Sequence, residues 1–208
     1  MPKTPRVQWL HSARNLQEME DRYNRWAPEY DDDLENGYSY IGAQTAGALL
    51  TRHVPKGARI LDAGAGTGLV GRYLAELGYT DLMAMDMSPA MLEESRKKNL
   101  YRELHQMVMG EPLDFPSDAF DAVISVGVFT TGHAPASSFD ELLRVTVPGG
   151  HLVFSIRLDG FETGGFDQKL ASLEAEGKWE LVEVTNRFAP MPDGEPDIFY
   201  RVWAYRVN

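Results

Sequence analysis

The stretch "LDAGAGTGLVG" (residues 61–71) decides the fold, and it carries two overlapping glycine patterns. In one frame Asp62, Gly64, Gly66 and Gly68 spell Asp-x-Gly-x-Gly-x-Gly. In the other, Gly66, Gly68 and Gly71 spell Gly-x-Gly-x-x-Gly, the pattern of a dinucleotide-binding loop. Both use glycine for the same reason. Where a strand turns into a helix, the missing Cβ lets backbone N–H groups come close to a ligand. Placement and charge separate the frames. The apolar run "RIL" ends at Leu61, so the second frame begins about two residues late for a dinucleotide loop. Asp62 at the strand end would repel a pyrophosphate but suits a ligand presenting a cation or donors. Asp86, about 20 residues beyond the glycines, is spaced to accept hydrogen bonds from ribose hydroxyls in either frame. In the first frame Gly71 becomes a helix residue kept small for packing.

Outward from this stretch, short apolar runs alternate with helical patterns. Leu69 to Leu77 has helical spacing, with Gly78 as its stop. "DLMAMD" (residues 81–86) reads as the second strand. Ser88 as N-cap and Pro89 at the first helical position then open a helix to about Leu100. "LHQMVMG" and "FDAVISVGV" (120–128) are the third and fourth strands, the latter apolar enough to be buried on both faces. "SSFDELLRVT" reads as a helix closed by Pro148 to Gly150, and "HLVFSIR" as a fifth strand. Two helical stretches precede the alternation, roughly Ala13 to Leu34 and Ile41 to His53. A helix near Phe166 to Glu176 follows it, then two strand-like runs joined by the turn residues of "APMPDGEP". The expected fold is α/β: a seven-stranded, mostly parallel sheet with helices on both faces. A C-terminal β-hairpin at its edge makes one strand antiparallel. At 208 residues the chain reads as a single domain. Residues 1–40 form a helical lid, 41–157 the cofactor-binding core, and 158–208 a helix plus hairpin.

Composition excludes some partners. The formal net charge is −11, and the densest basic cluster, Arg96 to Lys98, reads as a solvated helix face. A nucleic-acid partner is therefore not expected, since phosphate contacts need a basic surface. Absence of cysteine removes thiolate nucleophiles, disulfides and Cys-ligated metals, and suits a reducing compartment. No apolar run approaches a membrane span, and "MPKTPRVQWLHSARN" lacks a signal-peptide core. A cytoplasmic protein without membrane contact is expected. His11, His53, His105 and His151 lack metal-ligand spacing, so no metal is assigned.

Taken together, "LDAGAGTG", "MDMS", "FDAVIS", "ELLRVTVPGG" and the edge hairpin resemble the class I S-adenosylmethionine-dependent methyltransferases, a Rossmann-like fold. The resemblance runs from about Tyr23 to Val207. More narrowly, "YNRWAPEYDDDL", "DMSPAMLEESRKKNLY" and "GEPLDFP" are similar to the Williams–Beuren-region methyltransferase-like family. The resemblance implies that Gly64, Gly66 and Gly68 pack against the methionine part of S-adenosylmethionine and of its product, S-adenosylhomocysteine. Asp62 would order that loop or meet the amino group. Asp86 would bind the ribose, and Met87 would lie beside the adenine. Gly110 and Glu111 fall where relatives meet the adenine edge, although most relatives have an Asp in that segment.

The remaining candidates have alternative readings. Tyr23, Trp26 and Tyr30 share one helical face. They read as a lid whose aromatics cover a sulfonium and an acceptor, or as a stripe packing the helix on the sheet. Tyr23 and Tyr30 are assigned to the cofactor and Trp26 to the core; Asp31 to Asp33 read as a solvated face. His133, past the fourth strand, is the candidate general base for an acceptor O–H or N–H, or else a pocket shaper. Phe129 and Thr130 are expected as pocket walls. Arg157 would hold an acceptor carboxylate or phosphate, or form a surface ion pair. The expected function is methyl transfer from S-adenosylmethionine to a small-molecule acceptor. The alternatives are a NAD-dependent oxidoreductase using Gly66, Gly68 and Gly71, and an S-adenosylmethionine-binding protein without transferase activity.

Overall fold

The computed structural model describes residues 6–130 and 132–208. Seven strands form one sheet: β1 (Ile60–Ala63), β2 (Leu82–Asp86), β3 (Glu103–Gln106), β4 (Phe120–Phe129), β5 (Thr146–Arg157), β6 (Trp179–Val184) and β7 (Tyr200–Val207). Their order is β3-β2-β1-β4-β5-β7-β6. β1 to β5 run parallel, and β7 lies antiparallel between β5 and β6. The order reverses between β1 and β4, which opens a crevice at their carboxyl ends.

The helices are α1 (Arg6–His11), α2 (Leu16–Asp32), α3 (Gly42–Leu50), α4 (Leu69–Glu76), α5 (Pro89–Lys97), α6 (Ser138–Val145) and α7 (Phe166–Ala175). Local chemistry sets their ends. Ser88 Oγ accepts from the Met91 N–H at 3.1 Å with Pro89 opening α5, and Gly78 sits at φ 90° just past α4. Strand alternation then sorts side chains into two cores. Ile60, Ile124, Val153 and Val202 pack with α3 and α4 on one face. Leu61, Val123, Phe154 and Tyr205 pack with α6 and α7 on the other. Parallel strands buried on both faces need this near-continuous apolar composition.

Four expectations differ in detail. The first helical stretch starts at Leu16 rather than Ala13, where Asn15 caps α2 by accepting from the Glu18 N–H at 2.9 Å, and the short α1 precedes it. A polar side chain at an N-cap outcompetes continuation of the helix. Residues Asp33–Gly37 then widen into one π-helical turn. β3 stops at Gln106, short of the run expected to Gly110. Finally, Pro148 to Gly150 do not close α6, because β5 already begins at Thr146. Thr146 pairs with Phe120 and His151 with Ala122, so "PGG" is a bulge inside the strand, with Gly149 at φ 83°.

Candidate active site

A cavity sits over the carboxyl ends of β1, β2 and β4 beneath α1 and α2.

The glycines that follow β1 divide the work. Gly64, Gly66 and Gly68 all have positive φ, at 81°, 55° and 90°. A Cβ on Gly64 would fall 2.3 Å from Val128 Cγ2, whereas one on Gly66 would meet nothing within 4 Å. Gly64 and Gly66 line the cavity; Gly68 does not. Gly68 and Gly71 instead face Tyr101, whose hydroxyl would lie 2.2 Å from a Cβ on Gly71. Gly71 is a packing glycine, and Gly68, which the dinucleotide frame would set against a pyrophosphate, faces Tyr101 instead of the cavity; that disfavours the dinucleotide frame.

The same Tyr101 hydroxyl accepts from the Gly71 N–H (3.1 Å) and donates to Asp62 Oδ2 (2.5 Å). Asp62 is buried behind the loop rather than lining the cavity. Its Oδ1 has no hydrogen-bond partner among the described residues. Burial pushes its carboxyl up to about 7, with the Tyr101 hydrogen bond opposing and the Asp86 charge adding to the rise.

Asp86 closes the second strand and faces the cavity. Its Oδ2 accepts from the Gly66 N–H (2.8 Å) and its Oδ1 from the Ser88 N–H (2.9 Å). Each carboxylate oxygen has a second lone pair available to a ligand hydroxyl. Burial raises this carboxyl as well, against the Ser88, Gly66 and Met87 N–H groups. Met85, Met87, Met91 and Val108 form an apolar slot beside it. Gly110 and Glu111 lie outside that slot: a Cβ on Gly110 would fall 2.7 Å from Pro135, and Glu111 is exposed. Met107 to Met109 reach the cavity instead.

Tyr23, Trp26 and Tyr30 all line the cavity from α2. Tyr30 sits 6.5 Å from Tyr23 and 4.7 Å from Trp26, centroid to centroid. Trp26 is also core, and its Nε1 donates to Asp33 Oδ2 at 2.9 Å. Asp31 and Asp33 are therefore not a solvated face. Asp31 accepts from Thr67 Oγ1 and pairs with Lys98, each at 2.5 Å, while Asp33 is buried and pairs with Arg6 at 3.0 Å. Only Asp32 of the run is exposed. Lys98 is correspondingly no solvated residue; it locks α2 to the glycine loop, donating also to the Thr67 carbonyl.

Tyr23, His133 and Thr130 form a chain of hydrogen-bonding groups. The Tyr23 hydroxyl is 3.1 Å from His133 Nε2, and Thr130 Oγ1 is 2.7 Å from His133 Nδ1. His11, on α1, meets the His133 ring edge-on at 5.0 Å. Arg157 Nη1 donates to His11 Nε2 at 3.2 Å, so His11 carries its proton on Nδ1. Burial, then the Arg157 charge, holds His11 down at about 4. Arg157 makes two further 2.7 Å bonds to Asp159 and does not line the cavity. Thr130 reaches it only through His133, and Phe129 is buried in the opposite core, stacked on Phe139 at 4.5 Å.

A β-bulge forms part of the cavity wall. Ser125 pairs with Phe154 but Phe129 with Ile156, so Val126 to Val128 swell out of register. Gly127, at φ 77°, donates its N–H to Ser155 Oγ at 2.8 Å. A lone glycine inside "SVGV" is the sequence signal for such a bulge. Tyr40, Phe188, Met191 and Tyr200 complete the lining, brought in by packing that leaves no local mark. Among the described residues no group of three ligating side chains could hold a metal.

A family model described as a methyltransferase domain matches residues 61–154. Methyltransferase-like protein 27 of Homo sapiens is 36% identical over 182 residues, covering 84% of this chain and 74% of that protein. The chain is a class I S-adenosylmethionine-dependent methyltransferase. The fold of this methyltransferase is shared by the [4+2]-cyclase SpnF (TM-score 0.70, 18% identity, 94% of this chain and 97% of that one). It is shared also by a Burkholderia thailandensis 1,6-didemethyltoxoflavin-N1-methyltransferase solved with S-adenosylhomocysteine (TM-score 0.62, 19% identity, 89% and 87%).

Proposed function

We propose that this methyltransferase methylates a small-molecule acceptor held beneath α1 and α2. The observation that carries the reading is the lining of the cavity: the Gly66 cradle and Asp86 share it with aromatic and apolar side chains from α1, α2 and the C-terminal loop. Two features fit the cofactor. No side chain fills the space before Gly66, and Asp62 keeps a buried oxygen without a partner. When bound, S-adenosylmethionine supplies the electrophilic methyl group on its sulfonium.

The chain's own residues then bind, orient and exclude water. Asp86 accepts from the ribose hydroxyls, Gly64 and Gly66 support the methionine part, and Met87 lies against the adenine. Asp62 acts from behind, holding the glycine loop through Tyr101 and balancing the amino group; Gly68 belongs to this support. Tyr23 and Tyr30 cover the reacting centre from α2, where aromatic faces favour a cation. His133 takes the acceptor proton. Burial keeps the Tyr23 phenol far above its ordinary range, so it stays protonated and donates to Nε2, with Nδ1–H donating to Thr130. The Gly110–Glu111 segment and Phe129 support the pocket from outside, and Arg157 orients His11. We also place the protein in the Williams–Beuren-region methyltransferase-like family, as one domain acting in the cytoplasm. No helix among the described residues is long and apolar enough to cross a membrane.

Incubation with methyl-labelled cofactor and cell extract should put label into the dialysable fraction. Label confined to protein or nucleic acid would contradict the small-molecule reading. No transfer despite tight cofactor binding would favour a binding protein.

A further inference from the structure

We infer that the acceptor is an uncharged, largely apolar molecule that reacts through a hydroxyl, as a phenol does; this rests on the methyltransferase reading above. The first support is a census of charge. Among the described residues lining the cavity there is no lysine and no arginine, and Asp86 is the single carboxylate. Asp86 lies at the glycine-loop end. The opposite end is walled by Val7, Leu10, Leu16, Met19, Phe188 and Met191.

The cation that meets the cavity wall through His11 is already committed. Arg157 is held by both oxygens of Asp159 and by His11, whose ring stands at the cavity wall with its Nε2 turned to the guanidinium. A carboxylate or phosphate entering this end would lose its hydration with no lysine or arginine in the described lining to replace it. An ammonium would meet aromatic faces, yet it has no lone pair to attack with. A neutral acceptor avoids both problems.

The polar groups that remain are hydroxyl and imidazole. Tyr23 Oη and His133 Nε2 lie 3.1 Å apart, and His133 Nδ1 is backed by Thr130 at 2.7 Å. That arrangement gives an acceptor O–H one oxygen to donate to and an onward path for its proton. The acceptor oxygen bonds to the methyl carbon as the carbon–sulfur bond breaks, its electron pair staying on sulfur. The hydroxyl proton passes through Tyr23 to His133 and then to solvent, so one proton is released per methyl transferred.

A charge series on one apolar frame tests this without turnover. The wild-type protein is saturated with S-adenosylhomocysteine, which is confirmed first by calorimetry. Then 1-naphthol, 1-naphthoate and 1-(aminomethyl)naphthalene are titrated separately. The expected result is naphthol binding at least about tenfold tighter than either charged analogue, the scale of one poorly compensated charge. A second variant ties the preference to this cavity. Leu16 lines the mouth and is 46% exposed, so Leu16→Arg supplies the missing cation without disturbing the core. It should raise naphthoate affinity several-fold relative to naphthol. Equal or tighter binding of naphthoate or the amine to wild type overturns the inference, as does no binding of naphthol. Failure of S-adenosylhomocysteine to bind in the first step would instead overturn the cofactor reading.

Discussion

Asp62 shows how far a single residue can be read. Its position before the glycines was legible, because the motif is local and the strand ends there. Its partner was not: Tyr101 lies 39 residues away, and nothing in "YRELHQ" marks a hydroxyl that spans two elements. The consequence is a pH dependence. Asp62 ordinarily ionises near 3.8, and burial moves it to about 7 in the folded chain. Between those values the folded chain holds a proton that the unfolded chain has lost. Stability therefore falls as pH rises from about 4 to about 7, and levels off above. For the cofactor-free protein Tm should drop by roughly 5 °C or more from pH 5 to pH 8. Asp62→Asn should flatten most of that slope, with Asp86, also raised by burial, keeping a remainder. Equal slopes for wild type and variant in thermal unfolding would show that Asp62 is not the titrating group.

At the scale of elements, the decisive one is α2. Its helical nature and aromatic face follow from spacing in "YNRWAPEY": Trp26 packs in the core, and Tyr23, Trp26 and Tyr30 all line the cavity. The acids that come next were misleading. A run of three aspartates looks solvated until the fold brings Thr67 and Lys98 to Asp31. Asn24 adds a second clamp, its Oδ1 accepting from Ser88 Oγ (2.8 Å) and the Ala90 N–H (3.2 Å). "PGG" misled for the opposite reason, because turn residues also build bulges. Asp31→Ala should loosen the lid over the glycine loop. The expected cost is about 1–2 kcal/mol at that contact, read as a roughly tenfold faster release of S-adenosylhomocysteine in stopped flow. Tm should fall by only a few degrees. An unchanged off-rate would mean that α2 does not gate the cofactor.

For the whole molecule, the sheet was legible because alternation of strands and helices leaves few chiral arrangements. Cavity composition was not, since residues from α1, α2, the β4 bulge and the C-terminal loop meet only after the sheet has twisted them together. That assembly also separates two kinds of residue. Gly64, Gly66 and Asp86 follow the motif, while the acceptor end follows the packing, as Phe129 and Arg157 show by turning away. The account as a whole rests on Asp86 and Gly66 forming one half of the cavity. Isothermal titration of S-adenosylhomocysteine tests this most directly. Wild type should bind one equivalent, Asp86→Ala should bind at least about tenfold more weakly for loss of hydrogen bonds to a charged acceptor, and NAD should not compete. Equal affinity of wild type and Asp86→Ala, or binding of NAD in place of S-adenosylhomocysteine, would contradict the account.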